Sequence, residues 1–158
     1  MSSKRPIPLA IGIGAIAGLR TFTAPAAVGW AAHAKLFALH HSVLKFLKSR
    51  VSRNIILAFA AGELIADKLP STPNRTDPGP LAARIVSGAL CGAAIYSSAK
   101  QPIATGAALG GLGAIAGSFA GYEVRRRLGR KIDVPDAALA LLEDVLAIGG
   151  GASIVSAA

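Results

Sequence analysis

The sequence predicts an all-α fold: a polytopic membrane helical bundle of about five transmembrane helices plus one interfacial amphipathic helix, in a single domain over residues 1–158. Three observations carry this. Charged residues make up 16% of the chain, against roughly 25% in soluble domains, while 53% are apolar and the mean hydropathy is +0.53. Several apolar runs approach spanning length, and the basic residues behind the net charge of +9 fall mainly between them. Glycine is abundant (18 residues) and aromatics are few (5%), the composition of helices that pack by close backbone approach rather than by bulky side chains.

The same composition excludes other classes. A nucleic-acid binder shares the positive charge but not the scarcity of aromatics or the near-spanning apolar segments. The one cysteine, Cys91, rules out an internal disulfide and reads as a small packing residue. Lys4, Arg5 and the apolar run after them resemble a signal peptide, with Ala24-Pro25-Ala26 as a loose cleavage site. Arg20 fits that scheme badly, so the segment is expected to be structural.

The first span is Ile7 to Ala34, an apolar run whose one charge is Arg20. Pro25 frees the Thr21 carbonyl, and Thr21 and Thr23 supply hydroxyls that make a kink tolerable in lipid. From Lys35 to Ser52 the pattern changes. Leu36, Leu39, Val43, Leu47 and Val51 recur at helical spacing, with His41, Lys45, Lys48 and Ser52 opposite, which predicts the interfacial basic helix. The adjacent pair His40-His41 points to different sides of such a helix, so no metal site is expected.

Asn54 to Leu69 is the second span; Glu63 and Asp67, four apart, share a face. Ser71 to Pro80 is a proline-rich loop, with Asp77 as an N-cap before Pro78 and Arg75 and Asp77 at the membrane edge. Leu81 to Ala99 is the third span, with Arg84 near its start and Gly88 and Gly92 four apart. Gln101 to Tyr122, free of charge, is the fourth, striped by Gly106, Gly110, Gly113, Gly117 and Gly121. The cluster Arg125, Arg126, Arg127, Arg130 and Lys131 follows and is expected to meet anionic lipid headgroups. Ala137 to Ala158 is the fifth span, interrupted by Glu143-Asp144 and by Gly149-Gly150-Gly151.

Five spans place the termini on opposite sides. Lys68, Arg75, Arg84 and the 125–131 cluster outnumber the basic residues of the other side, so the N-terminus is expected in the cytoplasm. Gly14-Ala15-Ile16-Ala17-Gly18 returns as Gly113-Ala114-Ile115-Ala116-Gly117. Spans one and four share this motif, and spans two and five share an acidic position, Glu63 and Glu143. The odd spacer between them would give an inverted repeat with halves 7–70 and 101–158; recurrence by chance in an Ala/Gly-rich chain is the alternative. The glycine stripes suit a homo-oligomer or packing within the monomer.

The segments Gly18-Leu19-Arg20-Thr21-Phe22-Thr23-Ala24-Pro25, Gly62-Glu63-Leu64-Ile65-Ala66-Asp67-Lys68-Leu69-Pro70 and Arg84-Ile85-Val86-Ser87-Gly88-Ala89 resemble a family of small bacterial integral membrane proteins classed as a domain of unknown function. The resemblance covers most of the chain. It implies a membrane protein and carries no assigned functional residue; the bacterial inner membrane is the expected location.

Arg20, Glu63, Glu143 and Asp144 are expected below the headgroups, where a charge costs about 2.5–3.5 kcal/mol on insertion scales. They must therefore pair within the bundle or line a wet site. The candidate site is Arg20, Thr21, Thr23, Glu63, Asp67, Glu143 and Asp144, with Arg20–Glu63 as its central pair. Transport of a small ion or polar solute is the leading reading, and a non-transporting role in assembly or lipid organisation is the alternative. A faint likeness of Asp77-Pro78-Gly79…Ala83-Arg84 to the motif of CDP-alcohol phosphotransferases fails on spacing and lacks the downstream aspartates. No enzyme activity and no cofactor are expected.

Overall fold

A computed structural model describes residues 5–36, 38–40, 42–66, 77–131 and 136–158. Among these the chain forms α1 (Pro6–Leu19), α2 (Thr23–His33), a 3-10 segment (Ser42–Lys48), α3 (Arg50–Ala66), α4 (Pro78–Ser98), α5 (Ile103–Lys131) and α6 (Asp136–Ala157). No strand occurs among the described residues, so the helical bundle is as the composition requires.

The centre of the bundle is α1, α4 and α5. Gly110 of α5 is where all three meet. A Cβ at Gly110 would run into the Gly88 carbonyl of α4, and a Cβ at Gly14 of α1 would run into the Gly110 carbonyl. Only hydrogen at these positions lets three backbones come so near. The order of contacts fixes direction. Gly14 meets Gly110 and Gly18 meets Ala114, so α1 and α5 run the same way; Gly88 meets Gly110 and Gly92 meets Gly106, so α4 runs against them.

The two Gly-Ala-Ile-Ala-Gly copies thus pack against each other in parallel. An inverted repeat demands that the helices bearing them run in opposite directions, and that expectation is corrected. The two copies face each other in one close contact, Gly18 at Ala114 and Gly117 at Ala15.

The first expected span is also corrected. It is a helical hairpin, not one kinked helix. Helix α1 ends at Leu19, Arg20 is extended (φ −142°, ψ 115°), and α2 starts at Thr23. A Cβ on Gly151 of α6 would lie 3.4 Å from Ala27 and 3.8 Å from Ile16. In a continuing helix, residues 16 and 27 would stand about 16 Å apart, so the chain reverses at 20–22. Pro25 falls in the first turn of α2, where its missing N–H costs nothing.

Among the described residues three helices are long and apolar enough to cross a membrane: Pro78–Ser98, Ile103–Leu128 and Ala138–Ala157. Of the five expected spans these are the last three; the first is divided between α1 and α2, with 14 and 11 residues, and of the second, Asn54–Leu69, the described residues extend to Ala66 in α3. Helix α6 runs unbroken through Glu143-Asp144 and the glycine triplet, and Gly150 and Gly151 seat against Ile16.

The interfacial helix expected over 35–52 is a further correction. Lys35 takes a left-handed conformation (φ 60°) that ends α2, a 3-10 segment follows, and Leu39, Leu44 and Leu47 turn into the core. Leu39 and Leu47 of the expected stripe are buried, with the 3-10 segment packed on α2, whereas Leu36 and Val51 stay exposed. Helix α5 runs on through the basic cluster to Lys131. The N-cap at Asp77 with Pro78 in the first turn is as anticipated, without a side-chain cap bond. Asp67, Arg75 and His41 lie outside the described residues.

Alanines such as Ala10, Ala17, Ala24, Ala31 and Ala94 share the core with Ile13, Val28, Leu47 and Ile95, whereas Leu141, Val145, Leu146, Val86 and Phe119 face outward. Large apolar residues exposed on the outside, over an alanine-rich core, suit a lipid surround. The chain is a membrane protein.

Gly12 of α1 meets Ile154 of α6, so both chain ends sit at one end of the bundle. This replaces the expected opposite placement. The hairpin returns toward the end of the bundle at which α1 began. Among the described residues basic side chains flank both ends: Arg5, Lys35, Lys45, Lys48, Arg50, Arg53 and Lys100 at one, Arg125, Arg126 and Arg127 at the other.

Candidate functional site

The site is the tip of the α1–α2 hairpin. Reversing a helix inside a bilayer strands backbone groups that water would otherwise satisfy. The last carbonyls of α1 and the N–H groups leading into α2 need partners, and three other helices supply them.

Glu63 of α3 takes the donors. Its Oε1 accepts from the Thr21 N–H at 2.6 Å and its Oε2 from the Phe22 N–H at 2.9 Å. A carboxylate on two N–H groups at the start of α2 also meets the positive end of that helix. Arg84 of α4 takes the acceptors: its Nη1 donates to the Gly18 carbonyl at 2.6 Å, placing a cation at the negative end of α1. The Ser118 hydroxyl of α5 donates to the same carbonyl at 3.1 Å, and the Ser87 hydroxyl of α4 donates to the Thr21 carbonyl. Phe22 stacks on Phe59 of α3, ring centres 5.0 Å apart, which clamps α3 against the tip.

Arg20 points inward and is fully buried. Its Nη2 lies 2.5 Å from Oδ1 of Asp144 on α6. Beside this pair, Arg125 Nη1 stands 3.9 Å from Glu143 Oε2. The described cluster holds three cations, Arg20, Arg84 and Arg125, and three carboxylates, Glu63, Glu143 and Asp144.

The depth of the tip follows from the helices around it. Arg84 is six residues past Pro78 and Asp144 six past Ala138, about 9 Å into each span at ~1.5 Å per residue. Helix α1, with 14 residues, covers about 21 Å from the other side, so the two lengths complete the ~30 Å of a hydrocarbon core.

Of the residues expected at the site, Arg20, Thr21, Glu63, Glu143 and Asp144 meet at or beside the tip. Thr23, the first residue of α2, is buried and turns toward an apolar groove. The expected Arg20–Glu63 pairing takes another form: Asp144 stands against the Arg20 guanidinium, while Glu63 binds the backbone on either side of the Thr21–Phe22 peptide. Sequence reasoning missed Arg84, Ser87 and Ser118. Arg84 carried the signal that marked Arg20, a charge set inside a span; the two serines carried none. Among the basic cluster, Arg125 turns toward Glu143, and Arg126 and Arg127 pair with Glu123 on their own helix. The side chains of Arg130 and Lys131 are outside the described residues. No group of three His, Cys, Asp or Glu able to hold a metal occurs among the described residues.

A family model described as a domain of unknown function (DUF4126) matches residues 7–157. No curated protein matches the chain, and no solved structure does. The chain belongs to the DUF4126 family.

Proposed function

We propose that this DUF4126 protein is a transporter or channel for a small ion or polar solute in a bacterial cytoplasmic membrane, working at the α1–α2 tip. The observation that carries the reading is the re-entrant hairpin itself. Two half-length helices end at unwound backbone within the membrane, held by charged groups from separate helices. Broken helices with exposed backbone dipoles and ionisable side chains at such depth are how membrane proteins build sites for polar cargo. Arg20, with the N–H groups at the start of α2, suits an anionic or polar group. Glu63, Glu143 and Asp144 are the carboxylates able to exchange a proton. No catalytic step and no cofactor enter this reading.

One observation favours a second reading, a non-transporting role in assembly or lipid organisation. The partners described at the tip are protein groups, and the described charges balance, as in a cluster that only fixes the hairpin. Solute flux in proteoliposomes separates the two, with wild type, Arg20→Met and Glu63→Gln compared across anions, cations and protons. Transport predicts wild-type flux that folded variants lose. Absence of flux from folded wild type across the whole panel would overturn it and leave the structural role.

A further inference from the structure

A cavity of about 380 Å³ lies between α2, α3 and α6, within the ~300–1,000 Å³ of small-molecule pockets. Its walls include Trp30 of α2, Leu57 and Ala61 of α3, and Ile148 and Ala152 of α6; the polar side chain among its lining is Thr23. It exists because α3 packs on α2 and the 3-10 segment while α6 packs on α2 and α1, so α2 with its alanines forms a floor between two walls.

Two features say what fills it. Ile148 and Ala152 lie well inside the Ala138–Ala157 span, so the groove sits at hydrocarbon depth, clear of the headgroups. Trp30, Leu57 and Ile148 on its rim are 52%, 47% and 53% exposed, so its mouth opens outward from the bundle. Besides the Thr23 hydroxyl the lining offers the Trp30 indole N–H, about 10 Å away along α2, and a water needs two or more polar partners within reach. At that depth the material at the mouth is lipid hydrocarbon. The groove runs toward the polar tip along α6. Ala152 and Ile148 recur at steps of four along α6, and the next step is Asp144, the partner of Arg20.

We propose that this groove is a binding site for one acyl chain of a bilayer lipid, seated along α2 between Trp30 and Thr23. The seated chain closes the lateral face of the hairpin and shields the Arg20–Asp144 pair from that side. The inference does not depend on transport; it holds equally for a lipid-organising protein.

Trp30 is the one tryptophan of the chain and lies in the groove wall, so it serves as the probe. Purified protein in detergent is titrated with a phosphatidylglycerol carrying brominated acyl chains, and Trp30 fluorescence is followed. The expected result is saturable quenching that unbrominated phosphatidylglycerol reverses by competition. Ala61→Phe and Ala152→Phe, which fill the groove, should lose the saturable phase while the helical circular dichroism stays that of wild type. Should either variant misfold, the competition in wild type decides alone. Quenching that rises in proportion to the brominated fraction, without saturation or competition, would mean ordinary boundary contact and would overturn the site. Undiminished saturable quenching in both folded variants would overturn it as well.

Discussion

Arg20 and Asp144 are each expensive alone and tolerable together. Removing one partner of a buried pair leaves a charge with no water to fall back on, at about 3–5 kcal/mol, whereas replacing both with apolar residues is often neutral. Arg20→Met and Asp144→Leu should therefore each lower stability by about 3–5 kcal/mol, and the double variant should regain most of the loss. Unfolding in mixed micelles over the four-member cycle measures this, and additive losses would show that the two side chains do not act on each other. Glu63→Gln makes a different prediction. The amide keeps one acceptor for the two N–H groups of Thr21 and Phe22, so one donor goes unpaired at about 1–3 kcal/mol. These charges were legible in the sequence because each interrupts an apolar run, and the cost of insertion demands partners. Which carboxylate serves Arg20 was not legible. Glu63 and Asp144 are equally acidic residues in equally apolar helices, and the choice is made by where the hairpin tip lands between α3 and α6.

Among the helices, glycine spacing predicted close packing, and the packing is there, but spacing alone cannot give direction. Steps of four bring Gly14 and Gly18 to one side of α1 whether its neighbour runs parallel or antiparallel. The reversal at 20–22 was hidden for a related reason. Leu19-Arg20-Thr21-Phe22 contains neither glycine nor proline, and the turn is held by Glu63, Arg84 and Ser87, all distant in sequence. Two substitutions of the same kind test how much the three-helix contact matters. Gly110→Ala sets a methyl against the Gly88 carbonyl and forces α4 away from α5, a strain of about 1–3 kcal/mol or more. Gly149→Ala meets nothing within 4 Å and should be neutral or gain up to about 1 kcal/mol of helix propensity. Thermal midpoints in detergent should fall for the first and hold or rise for the second. Equal shifts would mean that the α4–α5 approach is looser than its backbone contacts imply.

For the molecule as a whole, the hairpin decides the topology. A chain that turned once at Pro25 and carried on would cross with its first segment and end opposite its start. A chain that returns at Arg20 spends its first two helices without crossing, and α3 to α6 then bring the C-terminal end back to the level of α1. The contact of Gly12 with Ile154 requires this, and so does the hydrogen bond from the His40 N–H to Ser97 Oγ, which ties the segment after α2 to the far end of α4. Basic residues lie at both ends, and sidedness is open to direct measurement. Cys91 is buried and is the sole cysteine, so its replacement by alanine gives a clean background. Single cysteines at Arg5, Lys100 and Ala158 should all react with an impermeant maleimide from one face of sealed vesicles, and one at Arg127 from the other. Reaction of Arg5→Cys and Ala158→Cys from opposite faces would require the first segment to cross. The tip would then cease to be re-entrant, and the polar site would lose the half-length helices on which a path for cargo depends.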